Sequence, residues 1–354
     1  MLDLLLRIAA FLGGAFLVVT IILSAIRSFV LPRNESVLVN NWVFMAIRYL
    51  FSFLAARHRT YAARDRVMAL YAPVALVMLP IAWLILLSLG YTGIYWALGE
   101  GSLSVSYLLS SSSLLTLGSV EASSFIISVF THSEATFGLL LITLLISYLP
   151  TMYQAFTRRE LVVARVELRC GTNRTATELI LWLNRTGSLA DDGPQWKIWE
   201  EWFVEIEETH TSLPILSFFR SPQPGRSWIT TADLILETAA VVISTVEQQR
   251  DPDMELCFKA GCVAVNRVSR YFQDRAQAEP AEAISSEDPI EDPTRRDFFR
   301  TYDQLREEGV SLRPDREEAW HKYQELRSRY SEAARFMARL VMAPELKSIG
   351  GNQS

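Results

Sequence analysis

Three long runs of apolar residues in the first 157 positions limit what this chain can fold into. They cover Ile8 to Ile26, Val67 to about Leu98, and Thr136 to Phe156, each at least 19 residues. A helix of about 20 residues crosses the roughly 30 Å hydrocarbon core of a bilayer. From Arg158 onward, apolar and charged residues alternate as they do in soluble helical proteins. The pattern predicts an all-α membrane protein with three transmembrane helices, followed by an all-α cytoplasmic domain.

The stretch from Ser102 to Glu121, SLSVSYLLSSSSLLTLGSVE, lies between the second and third apolar runs. It is too short and too rich in serine to cross a bilayer. Its pattern predicts a short helix, roughly Ser104 to Leu114, followed by an extended turn. Polar backbone persists at membrane depth only when it is buried in protein or lines water. We therefore interpret the stretch as a re-entrant loop, and the alternative is an ordinary outer loop with a short amphipathic helix.

The end of this stretch resembles the selectivity filter of the tetrameric potassium-channel superfamily, T-x-G-[YF]-G-[DE]. The residues that match are Thr116, Leu117, Gly118 and Glu121. In that superfamily, stacked carbonyls replace the hydration shell of the ion. The resemblance implies a re-entrant pore loop and a permeant monovalent cation, K⁺, with no cofactor. It also implies a homotetramer, because one pore loop per chain cannot close a fourfold filter.

Two residues depart from the filter pattern. Ser119 stands in place of the aromatic residue, and Val120 stands in place of the second glycine. Glycine reaches backbone angles that are closed to most residues, and a β-branched valine adopts them only with strain. A filter formed by Thr116 to Glu121 would therefore have weak or altered selectivity.

The third apolar run contains candidate pore residues. Thr143 and Ser147 are four residues apart and share one face of a helix. We expect them to line a water-filled cavity, and the alternative is that they bond to carbonyls of their own helix. Gly138 and Pro150 are candidate hinge and kink points.

Basic residues determine the predicted orientation in the membrane. Residues 27–66 carry seven arginines against two acidic residues, and Arg158 and Arg159 follow the third run, whereas residues 99–157 contain no lysine or arginine. Arginine-rich loops remain in the cytoplasm. We therefore expect a multi-pass protein of the plasma (inner) membrane with its N-terminus outside and its C-terminal domain in the cytoplasm. The acids expected on the outer face, where they would concentrate cations, are Glu100, Glu121 and Glu134.

Composition divides the chain into five parts. They are residues 1–66 (first transmembrane helix and a basic helix at the lipid interface), 67–160 (pore module), 161–275 (helical cytoplasmic domain), 276–294 (acidic linker) and 295–354 (C-terminal helices). The last part includes one long predicted helix, Arg316 to Met342. In the cytoplasmic domain a stripe at helical spacing is more typical of a core than of a ligand site; it comprises Trp196, Trp199, Trp202 and Phe203.

Two further segments resemble a bacterial group of potassium-channel-like proteins. They are Ser147 to Glu160, at the end of the third run, and Phe218 to Trp228 in the cytoplasmic part. Members of that group have three spans, one pore loop and a helical cytoplasmic domain. The resemblance extends to about residue 275. It implies regulation by the cytoplasmic domain, through an unknown cytosolic ligand or partner.

Two functions of different classes remain open. The first is an ion channel, favoured by the serine run and by an outer loop without basic residues. The second is a non-conducting membrane-anchored sensor or scaffold that recruits a cytosolic partner, favoured by Val120.

Other classes are disfavoured by the sequence. The histidines are scattered, and no metal-binding pair, nucleophile elbow or phosphate-binding glycine loop is present, so we expect no enzyme and no catalytic or metal-binding residues. No sustained basic run with aromatic residues suggests nucleic-acid binding. The cysteines all fall in the predicted cytosolic half, where idle thiols are the ordinary state; they are Cys170, Cys257 and Cys262.

Overall fold

A computed structural model of the chain is all-helical in the part that it describes. The described residues are 2–29, 38–58, 60–171, 174–189, 193–221, 223, 225–247, 251–276, 293–344, 346 and 349–350. Contacts divide the chain into two compact units, Met1–Gln154 and Ala155–Ser354. The acidic linker predicted from the sequence lies almost wholly outside the described residues.

Six helices form or begin in the first unit. They are α1 (Leu2–Phe29), α2 (Leu38–Ala56), α3 (Tyr61–Ala69), α4 (Tyr71–Leu98), α5 (Leu103–Leu114) and α6 (Phe125–Cys170), which continues into the second unit. Of these, α1, α4 and α6 belong to segments long and apolar enough to cross a membrane. This agrees with the three apolar runs in the sequence. The lengths and compositions of these helices establish their membrane-type character. The number and direction of crossings remain predictions.

The second apolar run is preceded by a separate short helix. The sequence predicts continuous helix from Val67, whereas the chain breaks at Leu70, between α3 and α4. Pro73 explains the break, because it has no N–H to donate to the carbonyl four residues earlier. Pro73 thus falls in the first turn of α4, where a missing donor breaks no helical bond. Pro80 alone lies in the interior of that helix.

Helix α6 starts earlier than the sequence predicts. The predicted start is Thr136, but the helix begins at Phe125. The polar residues between them resemble a loop in sequence, yet they bond to carbonyls of their own helix: Thr131 Oγ1 donates to the Ser128 oxygen at 2.9 Å, and Ser133 Oγ to the Phe130 oxygen at 2.8 Å. At 46 residues the helix is about 69 Å long, well beyond the thickness of a bilayer core. Its predicted continuation past Arg158 is confirmed.

Glycines bring α1 and α4 into backbone contact. A Cβ atom on Gly14 would lie 2.4 Å from the carbonyl oxygen of Gly90, and one on Gly90 would lie 2.9 Å from Val18 Cγ2. Small residues at such a crossing let two helices approach closely, which is how membrane helices gain packing energy without a hydrophobic driving force. Trp83 and Ile21 are fully buried beside this contact and belong to the same apolar cluster.

The neighbouring Gly13 and Gly14 allow a matched test of the α1–α4 contact. Alanine improves helix propensity over glycine by about 1 kcal/mol at either position. A Cβ on Gly13 would meet nothing within 4 Å, whereas on Gly14 it meets backbone. We expect Gly13→Ala to keep or raise the melting temperature in detergent. Gly14→Ala should lower it by several degrees, since overpacking costs about 1–3 kcal/mol. Equal melting of the two variants would rule out this contact.

The second unit is a helical domain around one apolar core. Its elements after α6 are α7 (Ala176–Arg185), α8 (Gly193–Ser212), a short 3₁₀ helix (Pro214–Phe218), α9 (Trp228–Thr245), α10 (Pro252–Ala276), α11 (Pro293–Glu307), α12 (Arg316–Ser328) and α13 (Ser331–Leu340). Helix α9 is also long and apolar enough to cross a membrane, but 83% of its 18 residues are buried within the protein. We therefore treat α9 as the centre of this core.

Aromatic residues fill this core as the sequence predicts. The tryptophans of α8 and the adjacent phenylalanine are all buried in it, namely Trp196, Trp199, Trp202 and Phe203. Residues of α11, α12 and α13 belong to the same core, including Phe298, Trp320 and Met337.

The long helix predicted over Arg316 to Met342 is in fact two helices, α12 and α13. At the break, Asn266 Nδ2 donates to the carbonyl oxygen of Arg329 at 2.7 Å. The turn points Tyr330 inward, where it is 1% exposed and its hydroxyl donates to the Glu237 carboxylate. No glycine or proline marks this break, which is why the sequence pattern does not reveal it.

A buried arginine fixes the last part of α6 within the second unit. The guanidinium of Arg159, 3% exposed, donates to the carbonyl oxygens of Leu216 at 2.8 Å and Phe219 at 2.7 Å. It also pairs with Glu160 at 2.8 Å and donates to Nε2 of His210 at 3.2 Å. Buried arginine is tolerated only with such full pairing. Arg159 thereby joins α6 to the end of α8 and to the 3₁₀ helix.

His210 completes this arrangement as a neutral side chain. It is 1% exposed, and its Nδ1 lies 3.1 Å from the carbonyl oxygen of Ile206. Burial, together with the positive charge of Arg159, lowers the pKa of His210 well below its usual value. At neutral pH its Nε2 is therefore free to accept from Arg159, while Nδ1–H donates to Ile206.

Adjacent arginines provide a matched pair for testing this anchor. Arg158 is 59% exposed and pairs with Glu205 alone among the described residues. We expect Arg159→Met to destabilise the second unit by about 3–5 kcal/mol, because it leaves two carbonyls and a carboxylate unpaired. The melting temperature should fall by roughly 10 °C. Arg158→Met should cost at most about 1 kcal/mol. A similar loss in both variants would show that Arg159 is not the anchor.

Candidate functional site

Helix α5 is a 12-residue helix inside the apolar first unit. Ser102 caps its N-terminus by accepting from the backbone N–H of Val105 at 3.4 Å. At about 18 Å it is too short to cross the roughly 30 Å core of a bilayer. Its extent confirms the helix predicted from the sequence to within one residue. Leu109 and Ser110, on the side facing the rest of the unit, are fully buried.

A buried carboxylate on α6 holds α5 in place. Glu134 is 0% exposed, and it accepts from the Tyr95 hydroxyl at 2.7 Å and from Ser110 Oγ at 2.5 Å. Ser88 Oγ lies 2.9 Å from Ser110 Oγ and extends the network into α4. One carboxylate thus joins α4, α5 and α6. In apolar surroundings a polar group is stable only when it is paired in this way.

The C-terminal end of α5 lies directly against α6. A Cβ atom on Gly138 would lie 2.5 Å from the carbonyl oxygen of Leu114 and 3.0 Å from its Cδ1. Only glycine leaves room for this carbonyl. Gly138, proposed from the sequence as a hinge, therefore has a visible packing role, and α6 continues as helix through both Gly138 and Pro150.

The residues after α5 fold back on its last turn. The backbone N–H of Leu117 donates to the Ser112 carbonyl oxygen at 2.8 Å, and that of Ser119 donates to Ser112 Oγ at 2.9 Å. Ser112 itself is 3% exposed. This serine therefore positions both flanks of Gly118, and the serine run is part of how the turn is built.

The turn has an unusual backbone. Thr116 has φ 55° and Gly118 has φ 64°, so two residues that are two apart both adopt left-handed angles. Glycine does so freely, but a β-branched threonine at positive φ is a genuine outlier. Such strain costs on the order of 1–3 kcal/mol and persists where the surrounding structure enforces it, most often at functional sites.

The predicted filter residues do not all share one environment. Thr116 and Gly118 are exposed, and Leu117 is 65% exposed. Val120 instead packs against the apolar core of the unit and does not adopt positive φ. Glu121 is exposed. Residues 116–118 are therefore exposed, whereas the side chain of Val120 packs against the apolar core.

The acids predicted for the outer face have different roles. Glu100 is 8% exposed, accepting from the backbone N–H of Ser123 at 3.2 Å and from the Ser123 hydroxyl. It ties the α4–α5 connection to the segment before α6. Glu134 is buried as well, so the expectation of three surface acids is wrong for Glu100 and Glu134. Both are satisfied by internal hydroxyl groups, and Glu121 alone of the three is exposed.

Thr143 and Ser147 lie exposed on α6. Ser147 Oγ donates to the Leu144 carbonyl oxygen at 3.0 Å, which is the own-helix bond that the sequence left open as an alternative. The hydroxyl of Thr143 has no hydrogen-bond partner among the described residues.

The anchoring role of Glu134, Tyr95 and Ser110 was not predicted from the sequence. A signal was present, because Glu134 is the one acidic residue of α6 before Glu160. An ionisable residue within an apolar helix is a functional candidate by default.

Among the described residues, no cluster of histidine, cysteine and acidic side chains is placed to hold a metal ion.

Comparison of the chain with protein-family models, curated proteins and solved structures found no match in any of the three. The class that the described residues define is accordingly a coarse one. It is an all-helical protein with membrane-type helices, a short helix and strained turn within the apolar unit, and a second helical unit.

Substitutions at Glu134 test its role in holding α5. Glu134→Leu removes the acceptor of two hydroxyls, which costs about 1–3 kcal/mol for each group left unpaired. We expect a lower melting temperature in detergent and faster hydrogen exchange of the α5 amides. Glu134→Gln retains hydrogen-bonding capacity and should restore most of the loss. Glu121→Leu, at the exposed acid, serves as the control, and an equal effect there would refute the assignment.

Proposed function

We propose that this chain is one subunit of a homotetrameric ion channel of the plasma (inner) membrane. The channel passes monovalent cations, K⁺ among them, with weak or altered selectivity. The observation that carries the proposal is the short helix α5 with the strained, exposed turn after it. The helix is held to α4 and α6 by a buried carboxylate, and the turn is bonded to the helix through Ser112.

The geometry of the turn supports a pore-loop function. In a re-entrant loop the backbone must line water or be buried in protein. Thr116 to Gly118 meet the first condition in the isolated chain, because they are exposed while the residues around them are anchored. Left-handed angles at two alternate residues depart from both helix and strand, as a ladder of carbonyls directed at one axis requires.

The surface of α6 supports assembly into a tetramer with this helix nearest the axis. In an apolar 18-residue stretch of α6, only 17% of the residues are buried within the chain. The corresponding share is 28% in α1 and 44% in the α3–α4 segment. Ile146 is 67% exposed and Leu139 is 54% exposed. Exposed Thr143 and Ser147 are unfavourable toward lipid but suitable for a water-filled cavity or a subunit contact.

We propose three crossings with the N-terminus outside. The charge of the loops is the main support. A contact adds to it, because the Arg7 guanidinium lies 5.8 Å from the centre of the Trp96 ring. Arg7 is near the start of α1 and Trp96 near the end of α4, so these two ends share one membrane face. Trp96 and an arginine are residues typical of the boundary between lipid and water.

Val120 supports altered selectivity. Its side chain is directed into the core, so the outer part of the filter lacks the second glycine and its backbone freedom. Potassium discrimination depends on the number and field strength of carbonyl rings, or on the cavity that they form. Fewer regular rings mean weaker discrimination.

The alternative is a non-conducting membrane-anchored sensor or scaffold whose second unit recruits a cytosolic partner. The specific observation in its favour is the same inward Val120, since a collapsed outer filter would block ions. In either function the second unit acts as the regulatory or recruiting part.

Ion flux into liposomes that contain the purified protein decides between these functions. We expect uptake of K⁺ and Na⁺ and exclusion of chloride, with the particles in fourfold rings. Thr116→Ala should change the K⁺/Na⁺ ratio several-fold, whereas Thr136→Ala, an exposed threonine bonded to its own helix, should not. Ser119→Tyr combined with Val120→Gly should raise K⁺ preference.

Three results would contradict the channel proposal. They are the absence of any cation flux, strong K⁺ selectivity in the unaltered protein combined with indifference to Thr116→Ala, or particles that are monomers or fivefold rings. Absence of flux from a correctly assembled tetramer would favour the scaffold.

A further inference from the structure

The second unit contains a cavity of about 270 Å³. Its walls come from the last turns of α6, the residues that precede α7, the loop before α9, and α9 itself. Val163, Val166 and Leu234 supply an apolar surface. The volume is just below the range of about 300–1,000 Å³ typical of sites for drug-sized ligands. The cavity therefore accommodates a small metabolite and is too small for a nucleotide.

One wall of the cavity carries a net positive charge. The Glu167 carboxylate on α6 forms ion pairs with both Arg174 and Arg226. Arg174 also donates to the carbonyl oxygen of Gly225 at 2.6 Å. Arg226 contacts Glu167 through Nε, and its two terminal amino groups make no hydrogen bond within the described residues. Two parallel N–H donors of this kind match a carboxylate.

Helix α9 contributes a second set of polar side chains to the cavity. Thr230, Asp233 and Glu237 follow one another at helical spacing on α9 and line the cavity. Glu237 is satisfied, because it accepts from the hydroxyls of Tyr323 and Tyr330. Asp233 makes no hydrogen bond or ion pair with any residue that the structure describes.

The unpaired state of Asp233 has an electrostatic consequence. Burial, followed by the negative charge of Glu237, raises the pKa of Asp233 to about 8, although Arg327 and Arg335 act in the other direction. A half-buried carboxyl group that no cation contacts is costly to ionise. An ammonium group in the cavity would contact Asp233 directly and would favour its ionised form beyond the effect of Arg327 and Arg335.

We propose that this cavity binds a small aliphatic amino acid, with its ammonium group on Asp233 and its carboxylate on Arg226. Asp233 and the terminal amino groups of Arg226 have opposite charge and unused hydrogen-bonding capacity. They border one small cavity, and apolar side chains lie beside them for a short aliphatic body. A simple cation would leave the terminal amino groups of Arg226 without an acceptor, and a simple anion would leave Asp233 without a donor. A zwitterion satisfies both.

The ligand would also contact α6 directly, through Val163 and Val166. Since α6 is the helix proposed above to line the pore, a bound amino acid would bias the position of its last turns. This regulatory step rests on the proposed channel function, whereas binding itself does not.

Thermal unfolding of the purified full-length protein tests binding without any ion gradient. The probes are L-alanine, L-serine, L-valine and L-threonine, one at a time, with propylamine and propionate as single-charge analogues. We expect at least one amino acid to raise the melting temperature by roughly 5–10 °C at a hundred times its dissociation constant. Each analogue should bind at least about tenfold more weakly.

Asp233→Asn is the informative variant, because it is nearly isosteric and breaks no internal bond. We expect its melting temperature without ligand to be unchanged or higher, and its amino-acid shift to be lost. Asp303→Asn, at an exposed acid of α11, should keep the full shift. No shift with any of the amino acids, or a shift that persists in Asp233→Asn, would overturn the proposed site.

Liposome flux with and without the bound amino acid then tests regulation. A change in flux in the unaltered protein that disappears in Asp233→Asn supports the coupling. Binding with unchanged flux overturns the regulatory step and leaves the site intact. Absence of flux under every condition contradicts the channel proposal alone, since binding is measured independently.

Discussion

The first unit depends on the pairing of one buried carboxylate. Glu134 is fully buried, so it is stable only because Tyr95 and Ser110 donate to it. These donors lie on α4 and α5, and the acceptor lies on α6. The three helices are therefore fixed to one another at a polar point, in a unit whose core is otherwise largely apolar. Apolar packing alone would not determine where a helix as short as α5 sits along its neighbours.

The strained turn is possible because both of its flanks are held. On one side Ser112 accepts from the backbone of Ser119, and on the other Glu100 accepts from Ser123. Ser112 also accepts from the backbone N–H of Leu117, so the short stretch from the end of α5 to Ser119 is held with Thr116 at φ 55°. The free energy for this strain comes from the anchors, which are buried or half-buried hydrogen bonds. The exposed residues of the turn thus owe their geometry to polar groups that are mostly hidden.

The sequence predicted α5 well because its local signals agree. Ser102 is a good N-cap, and Gly118, four residues after the end of α5, favours a turn over continued helix. The sequence-based prediction was wrong at the start of α6, where Thr131 and Ser133 resemble loop residues but bond to their own helix. Such bonds are local and have no signature in hydropathy.

Tertiary partners explain the other failures of sequence reasoning. Arg158 and Arg159 look equivalent as charges at the end of an apolar run, yet one is exposed and the other is the buried anchor of the second unit. The break after α12 depends on Asn266, more than 60 positions earlier. Arg226 pairs with Glu167, and Glu167 and Asp233 border one cavity only because α6 and α9 line it together. No single-sequence pattern contains these pairings.

The anchors on α6 also distinguish its two candidate hinge points. Gly138 lies against the Leu114 carbonyl and one turn after Glu134, so bending there would break the contacts that hold α5. Arg159 holds the helix within the second unit. Pro150 lies between these anchors, lacks an N–H, and leaves one helical carbonyl without its donor. Bending of α6 therefore costs least at Pro150.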